Sequence, residues 1–374
     1  MNNLKKNLGL YLHIPFCIKK CAYCDFISFD NQNARKEDYI NALIGEIQSY
    51  RDQLQDYNID TIFIGGGTPT AMDQNQLGRI IEAVNATYPI DNPCEFTVEC
   101  NPKTADISYF KLLKSLGVNR ISLGAQSFLD QELKILGRVH LSDDIEKAVF
   151  DVREAGIDNI NLDLMFGFFH QTEKNLFISL QKAVDLDVSH LSVYSLILEE
   201  GTAFYNMDKS PLPDEDSERR MYDHTVAFLK EHGYDRYEIS NFAKENKECK
   251  HNLKYWQCSD YLGLGLNSHS FLNGTRFFNT SDLSDYISHD NKVEGQKVIE
   301  IDEQMSETMI LGLRMTQGVN LSDFKNKFHI DIHDKYQKEI DQHKKNGLLV
   351  EDKNTLTLTE RGIALSNYVL CDFM

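Results

Sequence analysis

The amino-acid sequence predicts an α/β fold built on a parallel sheet and followed by a smaller C-terminal domain. Strand-like and helix-like segments alternate six times over the first two thirds of the chain, with short links between them. Repeated strand–helix units of this kind predict that neighbouring strands are parallel. Polar residues follow five of the six strands, at the edge where parallel sheets place their binding sites.

The six units are predicted from the spacing of the apolar residues. Short runs rich in β-branched and aromatic residues predict strands at 8–14, 61–64, 95–99, 120–123, 159–165 and 190–196. Apolar residues at intervals of three and four predict helices at 39–54, 74–84, 107–116 and 176–186. Two further helices follow the fourth strand, and the second of them has Ile145, Ala148, Val149 and Val152 on one face.

The pattern changes after residue 211, and the chain divides into three predicted regions. Residues 1–235 hold the repeated units, 236–304 complete and link them, and 305–374 form the smaller domain. A charged helix is expected at 214–231. Near the C-terminus, helices precede two short apolar runs, 346–350 and 356–358, that are joined by a polar turn. This order predicts a winged-helix-like domain.

Charge and composition limit the possible partners. The chain has 374 residues and a net charge of −18, and residues 300–374 contain nine basic and thirteen acidic residues. An acidic wing is a poor phosphate binder, so we expect no nucleic-acid partner. No stretch approaches the roughly 18 apolar residues of a membrane span. No signal-peptide cleavage site follows the first apolar run, and we expect a cytoplasmic protein.

Three cysteines, Cys17, Cys21 and Cys24, follow the first predicted strand within eight residues. Thiolates are soft ligands that suit iron–sulfur clusters or zinc. A zinc site needs four ligands, and His13 is the nearby candidate for the fourth, although paired Cys-x2-Cys knuckles are missing. A disulfide would leave one thiol over. Three thiolates without a fourth ligand fit a [4Fe–4S] cluster that keeps one iron open.

The spacing Cys-x3-Cys-x2-Cys resembles the signature of the radical S-adenosylmethionine superfamily. Its flanks, Tyr-Leu-His-Ile-Pro-Phe before and Asp-Phe after, resemble the oxygen-independent coproporphyrinogen oxidase family and most of all its haem-chaperone branch. The resemblance implies a partial (β/α)6 radical SAM barrel. It also implies a [4Fe–4S] cluster whose open iron binds the amino and carboxylate groups of S-adenosylmethionine, and an electron donor for that cluster.

The resemblance also assigns residues around S-adenosylmethionine. Glycines let the backbone approach a ligand closely, an arginine suits a carboxylate, and an aspartate accepts bonds from ribose hydroxyls. A tight turn, a surface salt bridge, a helix cap and simple packing are the competing structural explanations. The implied cofactor-binding residues are Tyr11, Tyr23, Gly66, Gly67, Thr68, Glu99, Gln126, Arg138 and Asp163.

One loop departs from the family. After Asp163 the chain reads Leu-Met-Phe-Gly-Phe-Phe-His-Gln-Thr, where the family usually has Leu-Pro-Gly before Gln-Thr. Loss of the proline and glycine changes the turn, and His170 is expected to face solvent.

A second motif, His251-Asn252-Leu253-Lys254-Tyr255-Trp256, resembles the haem-chaperone branch. Imidazole is a common axial ligand of haem iron, so the resemblance makes His251 the predicted haem-binding residue. A lone histidine is more often a hydrogen-bonded structural residue, and Cys249 is an alternative ligand or a buried thiol.

Two functions from different classes follow. The first is a haem chaperone that binds haem and a cluster coordinated by S-adenosylmethionine, and delivers haem to haem-accepting apo-proteins. The second is oxygen-independent coproporphyrinogen III oxidase. The oxidase continues its triad as Cys-x-Cys, whereas Phe26 occupies that position here. The sequence therefore favours haem trafficking without oxidase activity; haem-degrading methyltransfer is a less favoured third possibility.

Overall fold

The computed structural model describes residues 5–374 and confirms an α/β fold. Six strands are parallel neighbours in sequence order: β1 (Lys6–Ile14), β2 (Tyr57–Gly66), β3 (Ile90–Cys100), β4 (Arg120–Gln126), β5 (Asn159–Phe166) and β6 (His190–Ser195). Sequential order is the arrangement of a (β/α) barrel and differs from the reversed order of a doubly wound sheet.

Helices connect the parallel strands and cover the outer face of the sheet. Their apolar sides share one core with the strands, and several begin with an acidic cap; at the second helix, the Asp73 carboxylate accepts from the backbone of Asn75 and Gln76. The helices are α1 (Lys36–Ser49), α2 (Gln74–Thr87), α3 (Ile107–Ser115), α4 (Asp130–Ile135), α5 (Ser142–Glu154), α6 (Glu173–Asp185) and α7 (Glu215–Glu231).

Residues 235–298 extend the sheet at both edges. At one edge, β8 (Asn241–Ala243) pairs with β6, and β7 (Asp235–Arg236) pairs with β8. Helix α8 (Lys250–Trp256) follows β8 in the sequence. Beside β1 lie β9 (Tyr261–Leu264), β10 (His269–Leu272), β11 (Thr275–Asn279) and β12 (Val293–Val298), with α9 (Leu283–Ser288) before the last. The sheet therefore has twelve strands among the described residues. The predicted boundaries at 235 and 304 stay predictions.

The C-terminal part has a hydrophobic core of its own. Its helices are α10 (Ile301–Gly312), α11 (Leu321–Phe328), α12 (Ile332–Lys345), α13 (Glu360–Ala364) and α14 (Ser366–Cys371). Its antiparallel sheet has the order β13 (Val319–Asn320), β15 (Thr355–Leu358), β14 (Leu349–Asp352). The hairpin of β14 and β15 is the predicted wing. Within residues 5–374, no helix combines the length and hydrophobicity needed to cross a bilayer.

Candidate cofactor site

The carboxyl ends of the parallel strands surround a cavity of about 130 Å³, which we call the cofactor cavity. Neighbouring parallel strands end on the same edge of the sheet, so residues far apart in sequence meet there. The structure brings together nearly all the predicted cluster and S-adenosylmethionine residues: Cys17, Cys21, Tyr23, Cys24, Gly66, Gly67, Thr68, Glu99, Gln126, Arg138 and Asp163.

The three thiols of the triad are free and partly exposed to this cavity. Thr68 Oγ1 lies 3.7 Å from Cys17 Sγ and donates to it. Burial raises the pKa of Cys17, and it raises the pKa of Cys24 to about 11. Both thiols are therefore protonated at neutral pH in the metal-free chain, and binding of a cluster must release protons.

The zinc and disulfide alternatives concern the same three thiols. Every cysteine of the chain is unpaired. Among residues 5–374, no three His, Cys, Asp or Glu side chains are grouped to hold one metal ion. A zinc site needs four ligands, and three thiolates are the donor set of a [4Fe–4S] cluster that keeps one iron open. The three thiols that line the cavity fit such a cluster.

The glycine turn after β2 forms one wall of the cavity because side chains do not fit there. A Cβ on Gly67 would lie 2.8 Å from the carbonyl oxygen of Phe16, and Gly66 has a φ of +111°. The Gly66 amide donates to Glu99 Oε2 at 3.0 Å. The turn thus brings bare backbone beside both the thiols and a carboxyl group.

Gln126 ends β4 in a strained conformation. Its φ is +61°, and a register shift interrupts the pairing of β4 with β5 at this point. Its Oε1 is buried without a hydrogen-bond partner, while Nε2 lies 3.5 Å from the Tyr194 hydroxyl. Strained residues and unpaired buried polar atoms concentrate at binding sites. Both features indicate that a polar ligand completes the site.

Two carboxyl groups form the floor of the cavity. Glu99 pairs in register with Ser122, and Asp163 pairs with Gly124 on the same strand. Burial, with the charge of Asp163 as the second cause, raises the pKa of Glu99 to about 8. Burial also raises the pKa of Asp163. Two acids with raised pKa values in one cavity suit a cationic ligand.

Arg138 crosses the mouth of the cavity. Its Nη1 donates to Cys21 Sγ at 3.4 Å, and its Nη2 donates to the Gly124 carbonyl at 2.7 Å and to Asn101 Oδ1. These contacts place a cationic side chain between the thiols, β4 and the loop that follows β3.

Two predicted site residues lie outside the lining of the cofactor cavity. Tyr11 points into the sheet interior, where its hydroxyl lies 3.0 Å from His13 Nδ1 and its ring stacks on Phe63 at 6.2 Å. Tyr11 does not line the cofactor cavity in this conformation, and its predicted contact with the cluster and adenine stays a prediction. His251 stacks on the same Phe63 ring at 5.4 Å.

His251 is buried and fully hydrogen-bonded, with 1% of its surface exposed. Its Nδ1 lies 2.9 Å from Thr61 Oγ1, and its Nε2 lies 2.9 Å from the Tyr255 hydroxyl. Burial lowers its pKa to about 3. Both ring nitrogens are hydrogen-bonded in this conformation, and the prediction that His251 binds haem stays a prediction. Cys249 is a buried thiol that faces Glu95 Oε1 at 3.6 Å.

In the loop after β5, where the sequence departs from the family, aromatic side chains pack into a hydrophobic cluster. Phe168 and Phe169 are fully buried against Phe204, and His170 is exposed with a φ of +63°. The Gln171 side chain accepts from the Gly167 amide at 2.8 Å. His170 faces solvent, as predicted.

A continuous hydrogen-bonded chain, which we call the relay, connects the cofactor cavity with α8. Asn161 Nδ2 donates to Asp163 Oδ1 at 2.7 Å, and Asn161 Oδ1 lies 2.6 Å from His190 Nδ1. His190 Nε2 lies 2.8 Å from the Tyr237 hydroxyl, which accepts from the Cys249 amide at 3.3 Å. Burial holds the pKa of His190 well below its usual value. The neutral ring therefore donates through Nδ1 to Asn161 and accepts through Nε2 from Tyr237. With this assignment, each donor of the relay has an acceptor.

Comparisons with known proteins agree with this geometry. The Radical SAM superfamily profile matches residues 11–181, and the HemN C-terminal domain profile matches residues 300–365. The Heme chaperone HemW of Bacillus subtilis (strain 168) is 38% identical over 97% of this chain and 98% of its own length. The Heme chaperone HemW of Lactococcus lactis is 35% identical over 99% and 98%. This chain belongs to the heme chaperone HemW family.

The solved structure of the Escherichia coli coproporphyrinogen III oxidase HemN, a radical SAM enzyme, has the same fold. It superposes with a TM-score of 0.88 over 99% of this chain and 90% of its own, at 21% identity. At that identity the likeness establishes the fold alone. Within the HemW family, the radical SAM core carries a [4Fe–4S] cluster and S-adenosylmethionine.

The lining of the cofactor cavity also includes polar residues that were not predicted from the sequence, among them Asn101, Ser122 and Tyr194. Asn101 Nδ2 donates to Thr68 Oγ1 at 2.8 Å and holds the hydroxyl that faces the thiols. Ser122 lies beside Glu99, and Tyr194 lies near the end of β6. Tyr194 follows the same strand-end pattern as the predicted residues, and applying the rule to the sixth strand would have found it.

Proposed function

We propose that this chain is a haem chaperone: it binds haem and a cluster coordinated by S-adenosylmethionine, and it delivers haem to acceptor proteins. The observation that carries the proposal is similarity over essentially the whole chain to proteins named heme chaperone HemW. That similarity includes the α8 segment with the His251–Trp256 motif, which the sequence analysis connects with haem.

The residues of the cofactor cavity have distinct roles in this proposal. Cys17, Cys21 and Cys24 hold the cluster, which supplies electrons and an open iron for S-adenosylmethionine. Thr68 donates to the Cys17 sulfur and favours its thiolate. Arg138 carries a permanent positive charge to the mouth of the cavity, where a carboxylate is expected.

The acids and the glycine turn receive the cationic end of the ligand. The Gly66 amide fixes Glu99 in place, and Asn161 fixes Asp163. A sulfonium or ammonium charge beside these acids would favour their carboxylate forms. Gln126 offers its unpaired Oε1 to the same ligand.

The test is anaerobic reconstitution followed by measurement of iron, sulfide and haem. We expect one [4Fe–4S] cluster in the parent and none in the triple Cys17→Ala, Cys21→Ala, Cys24→Ala variant. The matched control is Cys258→Ala, which removes a thiol outside the cofactor cavity and should leave iron content unchanged. Equal iron in the parent and the triple variant would rule out the cluster assignment.

Haem titration and a coproporphyrinogen assay decide between the two functions. We expect stoichiometric haem binding and transfer of that haem to an apo-protein. We expect no protoporphyrinogen from coproporphyrinogen in the presence of S-adenosylmethionine and a reductant. Phe26 stands where the oxidase carries a further cysteine and is exposed at the cavity. Turnover of coproporphyrinogen would favour the oxidase instead.

A further inference from the structure

The side chain of Asn101 joins two residues that contact the thiols of the triad. Its Nδ2 donates to Thr68 Oγ1 at 2.8 Å, and its Oδ1 accepts from Arg138 Nη2. Thr68 in turn donates to the Cys17 sulfur at 3.7 Å. Arg138 Nη1 donates to the Cys21 sulfur at 3.4 Å. One amide group therefore connects the hydrogen-bond donors of two of the three cluster-binding sulfurs.

The chemistry of the partners fixes the direction of each hydrogen bond around Asn101. A guanidinium group only donates, so the amide oxygen of Asn101 must face Arg138. The amide nitrogen then faces Thr68, whose oxygen accepts from it. A hydroxyl has a single proton, and because Thr68 accepts from Asn101, that proton can be donated to the Cys17 sulfur. Asn101 thus sets the direction in which the hydroxyl donates.

The backbone fixes Asn101 at the end of β3. Its carbonyl oxygen accepts from the Thr104 amide at 3.0 Å and from the Thr104 hydroxyl at 2.8 Å, which closes a turn directly after the strand. Pro102 restricts the backbone of the residue that precedes it. The Asn101 side chain, which lines the cofactor cavity, is therefore presented from a closed turn.

The neighbouring strand β4 leaves room for Asn101 and Arg138 because residue 124 is a glycine. A Cβ on Gly124 would lie 2.9 Å from Arg138 Nη2 and 3.1 Å from Asn101 Oδ1. The Gly124 carbonyl accepts from the same Nη2 at 2.7 Å. Gly124 does not have the positive φ that favours glycine. The close approach of the Asn101–Arg138 pair is therefore the reason that a side chain does not fit here.

We propose that Asn101 is a positioning residue: it orients the two donors that face the triad, Thr68 and Arg138, toward the cluster-binding sulfurs and thereby raises the reduction potential of the cluster. Hydrogen bonds to the sulfurs and nearby positive charge stabilise the more negative, reduced form of an iron–sulfur cluster. Residues that orient the groups around a metal centre tune it without touching the metal. The proposal rests on the cluster of the proposed function and adds a residue that none of the cofactor assignments includes.

The experiment is a redox titration of the reconstituted full-length chain with dithionite, without S-adenosylmethionine, followed by the electron paramagnetic resonance signal of the reduced cluster. Asn101→Ala releases both donors. A hydrogen bond to a charged group is worth a factor of about ten or more, so the midpoint potential should fall by about 59 mV or more, which is a tenfold change in the one-electron equilibrium constant.

Asn119→Ala is the matched control for Asn101→Ala. The Asn119 amide is also bonded at both ends, because Nδ2 donates to the Cys94 carbonyl at 2.7 Å and Oδ1 accepts from the Phe96 amide at 3.0 Å. It directly precedes β4 and does not line the cofactor cavity. Asn119→Ala should therefore have the potential of the parent.

Two further variants separate this role from a general loosening of the site. Gly124→Ala should also lower the potential, because its Cβ displaces the Asn101–Arg138 pair. Its control is Gly78→Ala, whose Cβ would make an ordinary contact at 3.7 Å. Thr68→Val removes one of the two donors. Asn101→Ala should lower the potential less in that background than in the parent, since only the Arg138 contact is left to lose.

The outcomes distinguish the positioning role from the cluster assignment. Potentials of Asn101→Ala and Gly124→Ala that equal the parent's would overturn the proposal and leave the cluster assignment standing. An equal fall in Asn119→Ala would also overturn it, because the loss of any bonded amide would then have the same effect. Where Asn101→Ala does not retain the cluster, the Gly124→Ala titration decides. A parent chain that holds no [4Fe–4S] cluster would refute both.

Discussion

The carboxyl group of Glu99 is expected to lose a proton when S-adenosylmethionine enters the cofactor cavity. Burial and the charge of Asp163 raise its pKa from 4.5 to about 8, so it is mostly protonated at pH 7 before the ligand binds. The positive charges of the ligand favour the carboxylate. Binding therefore releases a proton at neutral pH, and affinity should increase as the pH rises toward the pKa of the free protein.

The same pKa makes the free energy of unfolding depend on pH. The pKa is higher in the folded chain than in the unfolded chain, so the folded chain holds an extra proton between pH 4.5 and about 8. Stability therefore falls as the pH rises through that window. The whole difference corresponds to about 5 kcal/mol, at 1.36 kcal/mol per pH unit. Because solvent screens this partly exposed group, we expect the free energy of unfolding to fall by roughly 2–4 kcal/mol across this pH window. The Glu99→Gln variant should lose this pH dependence.

Calorimetry in two buffers with different ionisation enthalpies measures the released protons at pH 7. The parent should release more protons per bound S-adenosylmethionine than Glu99→Gln, by nearly one. Glu238→Gln is the control, because burial also raises the pKa of Glu238 but this residue lies outside the cofactor cavity. Equal proton release by the parent and Glu99→Gln would show that Glu99 does not face the cationic ligand.

Two further pairs of substitutions test the relay and the glycine turn. Tyr237→Phe leaves two buried polar groups without a partner and should lower the free energy of unfolding by about 2–5 kcal/mol in urea. Tyr234→Phe removes one bond to a carbonyl and should cost about 1 kcal/mol; equal losses would contradict the relay. Gly67→Ala should reduce iron content after reconstitution, because its Cβ would meet backbone at 2.8 Å. Gly45→Ala, on an exposed helix face with no atom within 4 Å, should retain iron and add about 0.5–1 kcal/mol of stability.

Sequence reasoning found the parallel strands because their apolar runs are long and separated by glycine and polar clusters. The predicted strand at 61–64 lies inside β2 (Tyr57–Gly66), and the predicted strand at 190–196 matches β6 to within one residue. The strands at the sheet edges were not predicted individually. β7 and β8 have two and three residues, and β12 is largely exposed. Segments that are so short or so polar lack the alternation of apolar and polar residues from which strands are predicted.

The cofactor site was largely predictable because one rule places it: polar residues at the ends of parallel strands meet. The rule does not predict how deeply a side chain is buried. Tyr11 and Phe63 are neighbours in register, and their rings stack inside the sheet rather than at its edge. The environment of His251 depends on Thr61, which is 190 positions away in sequence. A motif that is continuous in sequence gives no sign of such a contact.

Helix α8, which carries the haem-associated motif, is connected to the cofactor cavity by the relay. At its start, Glu95 accepts from the Lys250 and His251 amides at 3.0 Å, and the relay bonds the Cys249 amide to the chain that ends at Asp163. At its end, Trp256 lines a second cavity of about 480 Å³. A ligand that changes the charge of Asp163 alters the first hydrogen bond of the relay, whose last member holds the start of α8. If the relay couples S-adenosylmethionine to haem, each ligand must change the affinity of the other by the same factor. If haem affinity is the same with and without S-adenosylmethionine, the relay is a structural support and carries no coupling between the two ligands.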